Sequence, residues 1–417
     1  MHGTERPLIT ALPFVALLLV IALAPLIVPK WWHHNRNKAL VSLAISAPIL
    51  LYLGSTAPEL LNEKFHEYLS FIVVIAALYV IAGGIHVEGS LAGTPLVNTG
   101  VLGLGAVLAN LLGTTGASVL LIRPLLRANK RRKRVAHVVI FFIFIVANCG
   151  GVLTPIGDPP LLLGYLKGVP FDWTLRLWPQ WLMINGILLV VFNVWDRWAL
   201  NGDEQELQSH EPLRITGGLE MLVLLGIIAT ILLAGSSLII LGLAVLGYFA
   251  GSGDRRTRNA FTFGPIIEVA VLFAAIFATM APVLEMLNAW AQRPDFGLTR
   301  PAHFFWASGA LSSVLDNAPT YLAFVASAAG LQGVAPHGAY IGAMALNPEA
   351  AKLLAAISTG AVFMGANTYI GNAPNFMVKA IAEENGVKMP SFFGYLGYSM
   401  GILVPLFVAI SLIFFHT

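Results

Sequence analysis

Four stretches interrupt an apolar chain with oxygen-bearing side chains, and two of those side chains are carboxylates. Asp158 lies in Thr154-Pro155-Ile156-Gly157-Asp158-Pro159-Pro160, and Asp316 in Leu315-Asp316-Asn317-Ala318-Pro319-Thr320. The other two stretches add Thr114, Thr115 and Ser118 around Gly113 and Gly116, and Asn367, Thr368, Asn372 and Asn375 between Gly365 and Asn375. Together they offer an oxygen-rich set: Asp158, Asp316, Asn317, Thr320, Thr154, Thr114, Thr115, Ser118, Asn367, Thr368, Asn372 and Asn375. Oxygen donors suit hard cations, and burial favours the neutral form of a carboxyl. Proton and cation would then compete for one group, which is the chemistry of cation/proton exchange.

The elements that hold these residues must lie in a bilayer. The 417 residues are 57% hydrophobic and 11% charged, with a mean hydropathy of +0.78, whereas soluble domains are about 25% charged. A span needs about 20 apolar residues, so the length supplies around ten spans and no large extramembrane domain. Soluble enzymes and nucleic-acid binders are poor fits. The single Cys149 forms neither an intramolecular disulfide nor a cysteine cluster. No histidine pair has the H-x-x-x-H spacing of a metal site, and Gly103-Leu104-Gly105 lacks the third glycine of a dinucleotide loop. No structural metal and no cofactor are expected, only sodium and protons as transported or coupling ions.

Charge sets the orientation. Residues 8–28 read as a retained first helix, because Pro25 after Ala22-Leu23-Ala24 makes a poor signal-peptide cleavage site. Lys30, Arg36 and Lys38 follow it and place its carboxyl end in the cytoplasm. Runs at about 39–54 and 68–86 predict the next two helices, joined by an outer loop bearing Glu59, Glu63 and Glu67. Seven positive charges lie between Arg123 and Arg134 and fix that end inside as well. The apolar stretch at about 97–128 therefore reads as a re-entrant hairpin with its Gly-Thr tip near mid-membrane. Non-helical backbone is tolerated there only when it is buried in protein or lines a wet cavity.

A broken helix at about 135–167, an interfacial anchor at Trp173, Trp178 and Trp181, and a helix at 180–199 complete residues 1–200 as a first repeat. Polar residues 201–216 read as a cytoplasmic linker. Residues 217–417 repeat the plan inverted, with a hairpin at about 302–330 and a broken helix at about 351–384. The two broken helices share the frame T-x-I-G-[DN]-x-P at Thr154 and Thr368, and Thr114 to Ser118 align with Asp316 to Thr320. The fold class that follows is an all-α polytopic membrane protein. It is an inverted repeat of five transmembrane helices plus one re-entrant hairpin per half, with two broken helices, as in secondary transporters.

An ionised aspartate deep in a bilayer costs about 2.5 to 3.5 kcal/mol on insertion scales, so each needs a counter-ion or a proton. The plainer reading is that Gly, Pro, Asn and Thr serve kinks and packing and that the aspartates cap helices. Glu268 is a candidate proton relay or an interfacial group, and Lys379 a snorkelling residue.

Thr154 to Pro160 and Asp316 to Thr320 resemble the motifs of the ion transporter superfamily, and within it those of NhaD-type sodium/proton antiporters. Its citrate-transporter-like branch usually shows Ser-Asn-Thr at each hairpin tip, and this chain instead has Thr114-Thr115-Gly116 and Asp316-Asn317. The resemblance implies a homodimer, an elevator-like movement, and exchange of sodium or lithium for protons. The alternatives are a sodium-coupled citrate or dicarboxylate symporter and a membrane hydrolase with an Asp158–Asp316 dyad. The expected setting is a bacterial inner membrane with both termini periplasmic. The expected partners are membrane lipids and a small inorganic cation or carboxylate.

Overall fold

The computed structural model describes residues 7–200, 211–233 and 235–416. The two chain ends, whose side of the membrane the sequence assigns, and residues 201–210 of the linker lie outside them. The first half comprises α1 (Leu12–Ile27), α2 (Pro29–Trp32), α3 (Asn35–Thr56), α4 (Pro58–Ala82), strand β1 (His86–Ser90), α5 (Pro95–Ala128), α6 (Ala136–Ile145), α7 (Pro159–Leu166) and α8 (Trp178–Leu200). Strand β2 (Glu211–Thr216) leads into α9 (Gly218–Leu232), α10 (Ser237–Ala250), α11 (Gly253–Arg258) and α12 (Gly264–Ala291). The rest is α13 (Pro301–Ser312), α14 (Asn317–Leu331), α15 (Tyr340–Leu346), α16 (Pro348–Met364), α17 (Ala373–Glu384) and α18 (Phe392–Phe414). Among the described residues eight helices are long and apolar enough to cross a membrane. The protein is an all-α polytopic membrane protein.

Prolines start many of these helices, as at Pro58, Pro95, Pro159, Pro301 and Pro348, where the missing N–H has no intrahelical partner to lose. The core lies around α6, whose residues from His137 to Ile145 are all buried, and α16, buried from Leu353 to Met364 except at Ala355. A helix apolar on every side belongs inside. Exposed leucines on α1, α3 and α10 (Leu19, Leu43, Leu51 and Leu246) mark the lipid-facing rim.

The acidic stretch expected as a loop is helical: α4 starts at Pro58, with Glu59 in its first turn, where a negative charge suits the helix dipole. Lys64 Nζ then lies 2.9 Å from Glu67 and 3.4 Å from Glu63, which relieves their repulsion. The helix expected to run to residue 86 stops at Ala82, and His86–Ser90 pairs antiparallel with Glu211–Thr216 of the expected linker. His86 faces Thr216 and Glu88 faces Arg214, with an irregularity between Glu88 and Ser90 at Gly89, where φ is +89°.

Helix α5 doubles back on itself. Gly113 has φ 74° and ψ 157°, a conformation open to glycine. Asn98 and Asn129 exchange hydrogen bonds of 2.9 and 2.8 Å, although a continuous helix would hold them roughly 46 Å apart. This base is fastened to α8. Arg132 donates to both oxygens of Asp196, at 2.5 and 3.0 Å; His137 Nε2 lies 2.7 Å from Oδ1, and Asn98 donates to Oδ2 at 3.0 Å. Arg132, His137 and Asp196 are all buried. In the second half α13 and α14 are separated by residues 313–316, and both pack against α16.

Candidate functional site

The stretch from Cys149 to Asp158 cannot stay α-helical, because Pro155, Pro159 and Pro160 supply no amide protons. It forms a 3-10 turn at Cys149–Val152 and restarts as α7 from Asp158, an extended cap residue at φ −148° and ψ 147°. The second break has the same form, with a 3-10 turn at Gly365–Asn367 and Asn372 at φ −152° and ψ 141° ahead of α17. Glycine is required at both crossings. A side chain on Gly157 would overlap the Gly151 carbonyl, and one on Gly371 would overlap that of Gly365.

Breaks free backbone groups that must be satisfied when buried. Asn110 donates to Gly150 O at 2.7 Å, Trp181 Nε1 to the same oxygen at 2.8 Å, and Asn185 to Cys149 O at 3.2 Å. Around the second break Tyr395 donates to Ala366 O at 2.8 Å, Ser399 to Asn367 O at 2.7 Å, and Asn375 to Gly365 O and Thr368 O at 2.8 and 2.9 Å. Trp173 and Trp181, expected as interfacial anchors, are thus tied into the protein, Trp173 Nε1 donating to Ala345 O at 3.2 Å. Trp178 is exposed.

Each hairpin tip is sewn to a break by matching bonds. Thr154 donates to Asn110 O at 2.5 Å and Thr368 to Ser313 O at 2.5 Å. Leu153 N donates to Asn110 Oδ1 at 2.8 Å, while Asn367 Nδ2 donates to Ser313 Oγ at 2.9 Å. Asn110 stands to Thr154 as Ser313 stands to Thr368. Counted from these bonds, Thr114 corresponds to Asn317, one place away from the register read in the sequence.

At the centre Asp158 is 1% exposed. Its Oδ1 accepts from Thr114 Oγ1 at 2.7 Å and from Asn372 Nδ2 at 3.2 Å, and its Oδ2 accepts from Asn317 Nδ2. Thr114 N also donates to Gly157 O at 2.8 Å. One carboxylate therefore gathers the first tip, the second tip and the second break. All three side-chain donors are neutral, and among the described residues no Lys, Arg or His pairs with it. A further layer supports it: Asn372 donates to Asn148 Oδ1 at 3.2 Å, and Asn148 donates to Asn375 Oδ1 at 2.7 Å. Oxygens without a hydrogen-bond partner remain on Asn317, Asn367 and Ser118, all buried.

Asp158, Thr114, Asn317 and Asn372 therefore meet directly, while Thr154, Asn367, Thr368 and Asn375 hold the breaks around them. Asp316 makes no hydrogen bond to this set, although it lies within electrostatic reach of Asp158. It is half-buried, its carboxylate accepts Ala318 N at 3.0 Å as a helix cap, and Thr320 donates to its carbonyl at 2.9 Å. Asp158 and Asp316 share no hydrogen bond, so the acid dyad is not formed. Thr115 is half-buried. Glu268 is not brought to Asp158, because it pairs with buried Lys38 at 2.7 Å. Lys379 bonds Glu383 at 2.8 Å and sits over the Tyr369 ring. Among the described residues no three His, Cys, Asp or Glu side chains form a metal cluster. Sequence reasoning passed over Asn110, Asn148 and Ser313. Asn110 lies one helical turn before Thr114, and Asn148 opens the first break, positions that could have marked both.

Residues 3–415 match the family described as "Putative citrate transport", nearly the whole chain, and the protein belongs to that family of membrane transporters. None of the curated proteins compared with it matches.

Proposed function

We propose that this member of the citrate-transport family is a secondary transporter that exchanges sodium or lithium for protons at Asp158. The observation that carries the reading is a buried carboxylate whose partners are all neutral. Removing an ion from water costs several kcal/mol, and the three hydrogen bonds from neutral donors offset part of that cost without cancelling the charge. The residual negative charge is neutralised by a proton or by a cation, each displacing the other. The unpartnered oxygens of Asn317, Asn367 and Ser118 are hard donors suited to the cation.

In this reading the two fold-back elements are re-entrant hairpins of an inverted repeat, and their tips expose Asp158 to each side in turn. The transported ion and the proton share one site, so neither crosses without the other being released. A lone carboxylic substrate fits less well. Two unit negative charges about 4 Å apart repel by about 4 kcal/mol at an effective dielectric constant of about 20.

The family description favours a second reading, in which a citrate-like carboxylate is carried together with cations that screen Asp158. Proteoliposomes separate the two. Under antiport, sodium or lithium dissipates an imposed pH gradient, and the sodium concentration for half-maximal response rises as pH falls because protons occupy the same oxygens. Uptake of labelled citrate under a sodium gradient, with no pH response to sodium alone, would establish the second reading and remove the first.

A further inference from the structure

The two breaks bring matching residues together with different chemistry. Asp158 and Asn372 are both extended cap residues, at φ −148° and ψ 147° and at φ −152° and ψ 141°, and each enters a helix with proline in its first turn. They hold the same place in the frame shared by the stretches that start at Thr154 and Thr368. Their side chains touch, Asn372 Nδ2 donating to Asp158 Oδ1 at 3.2 Å. One half thus supplies a carboxylate to the centre, and the other supplies an amide of almost the same shape.

That amide nitrogen has an unusual neighbourhood. Besides Asp158 Oδ1 it faces Ala147 O and Asn148 Oδ1, each also at 3.2 Å. Ala147, Asn148 and Asn372 are all buried. Turned over, the amide would set its own oxygen against three others, so it is the nitrogen that faces them. Asn148 is held in turn: its nitrogen donates to Ile143 O at 2.8 Å and to Asn375 Oδ1 at 2.7 Å, which leaves its oxygen for Asn372. Three oxygens therefore converge on a nitrogen with two hydrogens, at the long end of the N–H···O range. A pair of directional donors satisfies such a trio poorly. A hard cation takes it as a ready set of ligands, because oxygen coordination to such ions is flexible in direction.

We propose that Asn372 is a specificity-determining residue whose amide plugs a latent cation position beside Asp158 and holds the centre to one singly charged ion, a step that rests on the exchange reading above. The hydrogen-bonded centre then carries a single carboxylate, a match for sodium, lithium or a proton. Aspartate at position 372 would set two carboxylates side by side, with Ala147 O and Asn148 Oδ1 next to them. Two like charges that close repel, and a divalent ion between them balances both. Calcium takes about six to eight oxygens, carboxylates and backbone carbonyls among them. The neutral member of the pair is thus the one that selects the charge of the cargo.

The test is Asn372→Asp in the full chain, a change that keeps the size of the side chain. Binding of radiolabelled calcium to the purified protein is one readout, and sodium-driven pH-gradient loss in proteoliposomes with and without calcium is the other. The expected result is calcium binding at least tenfold tighter than in wild type, with calcium suppressing the sodium response of the variant and leaving that of wild type unchanged. The double variant Asp158→Asn/Asn372→Asp returns the centre to one carboxylate, and its calcium affinity should fall back to within threefold of wild type. An asparagine that serves packing alone would leave calcium affinity where it was, and that result in Asn372→Asp overturns the proposal. So does a double variant that keeps the raised affinity, since calcium would then bind without Asp158. If Asn372→Asp elutes as an aggregate in sodium alone, calcium should restore the monodisperse form, and an aggregate in both ions overturns the proposal as well. A wild-type pH gradient that ignores sodium overturns the exchange reading and the role of Asn372 with it, whereas a responsive wild type with a calcium-blind variant removes that role alone.

Discussion

Among the described residues two aspartates are buried, and their surroundings are opposite. Asp196 meets Arg132 at 2.5 Å and His137 at 2.7 Å, with both carboxylate oxygens used by the guanidinium. Asp158 meets a threonine and two asparagines. A forked Arg–carboxylate contact fixes geometry and charge together, so Asp196 stays ionised and pins the base of the α5 hairpin to α8. Asp158 has no fixed positive partner, and in the proposed exchange a mobile ion balances its charge. Burial alone does not mark a transport site. The proposed site combines burial with a missing counter-charge.

The comparison can be broken in three ways. Asp196→Ala strands the Arg132 guanidinium and should lower stability by about 3–5 kcal/mol, read as a large fall in the thermal midpoint in detergent. An unchanged midpoint would reduce the cluster to decoration. Asp158→Asn should act on function: sodium-dependent pH-gradient loss falls a hundredfold or more, while stability changes by no more than about 1–2 kcal/mol. If this variant unfolds as Asp196→Ala is expected to, the contrast between the two sites disappears. Asp316→Asn keeps an acceptor for Ala318 N and should keep exchange within tenfold of wild type, whereas Asp316→Ala loses a cap worth about 0.5–2 kcal/mol. Loss of exchange in Asp316→Asn as deep as in Asp158→Asn would restore Asp316 as a second ligand.

Much of this arrangement was legible in the sequence because bilayers punish polar residues. The four interruptions stood out against apolar runs, and all the residues that meet at Asp158 lie within them. The choice between Asp316 and Asn317 was not legible. Neighbours at a helix start point in different directions, and only the cap at Ala318 N shows which of them turns inward. Arg132 was hidden in a basic run, where its distant partner Asp196 could not be seen. The β1–β2 pair was missed because two short polar segments whose outermost paired residues, His86 and Thr216, lie 130 positions apart carry no periodic signal. Glu63 and Glu67 read as a loop because the lysines that neutralise them, Lys64 and Lys167, come partly from another helix.

The glycine crossings at Gly151/Gly157 and Gly365/Gly371 have an effect on how this protein can diversify. A side chain on Gly157 or Gly371 would overlap a facing carbonyl, so the scaffold offers selection nothing to tune at those two points. Under the proposed exchange at Asp158, a change of cargo must come through the few letters that face it: Thr114, Asn317 and Asn372. A saturation library confined to those three codons would sample the preferences open to this architecture, while the glycines return one answer only.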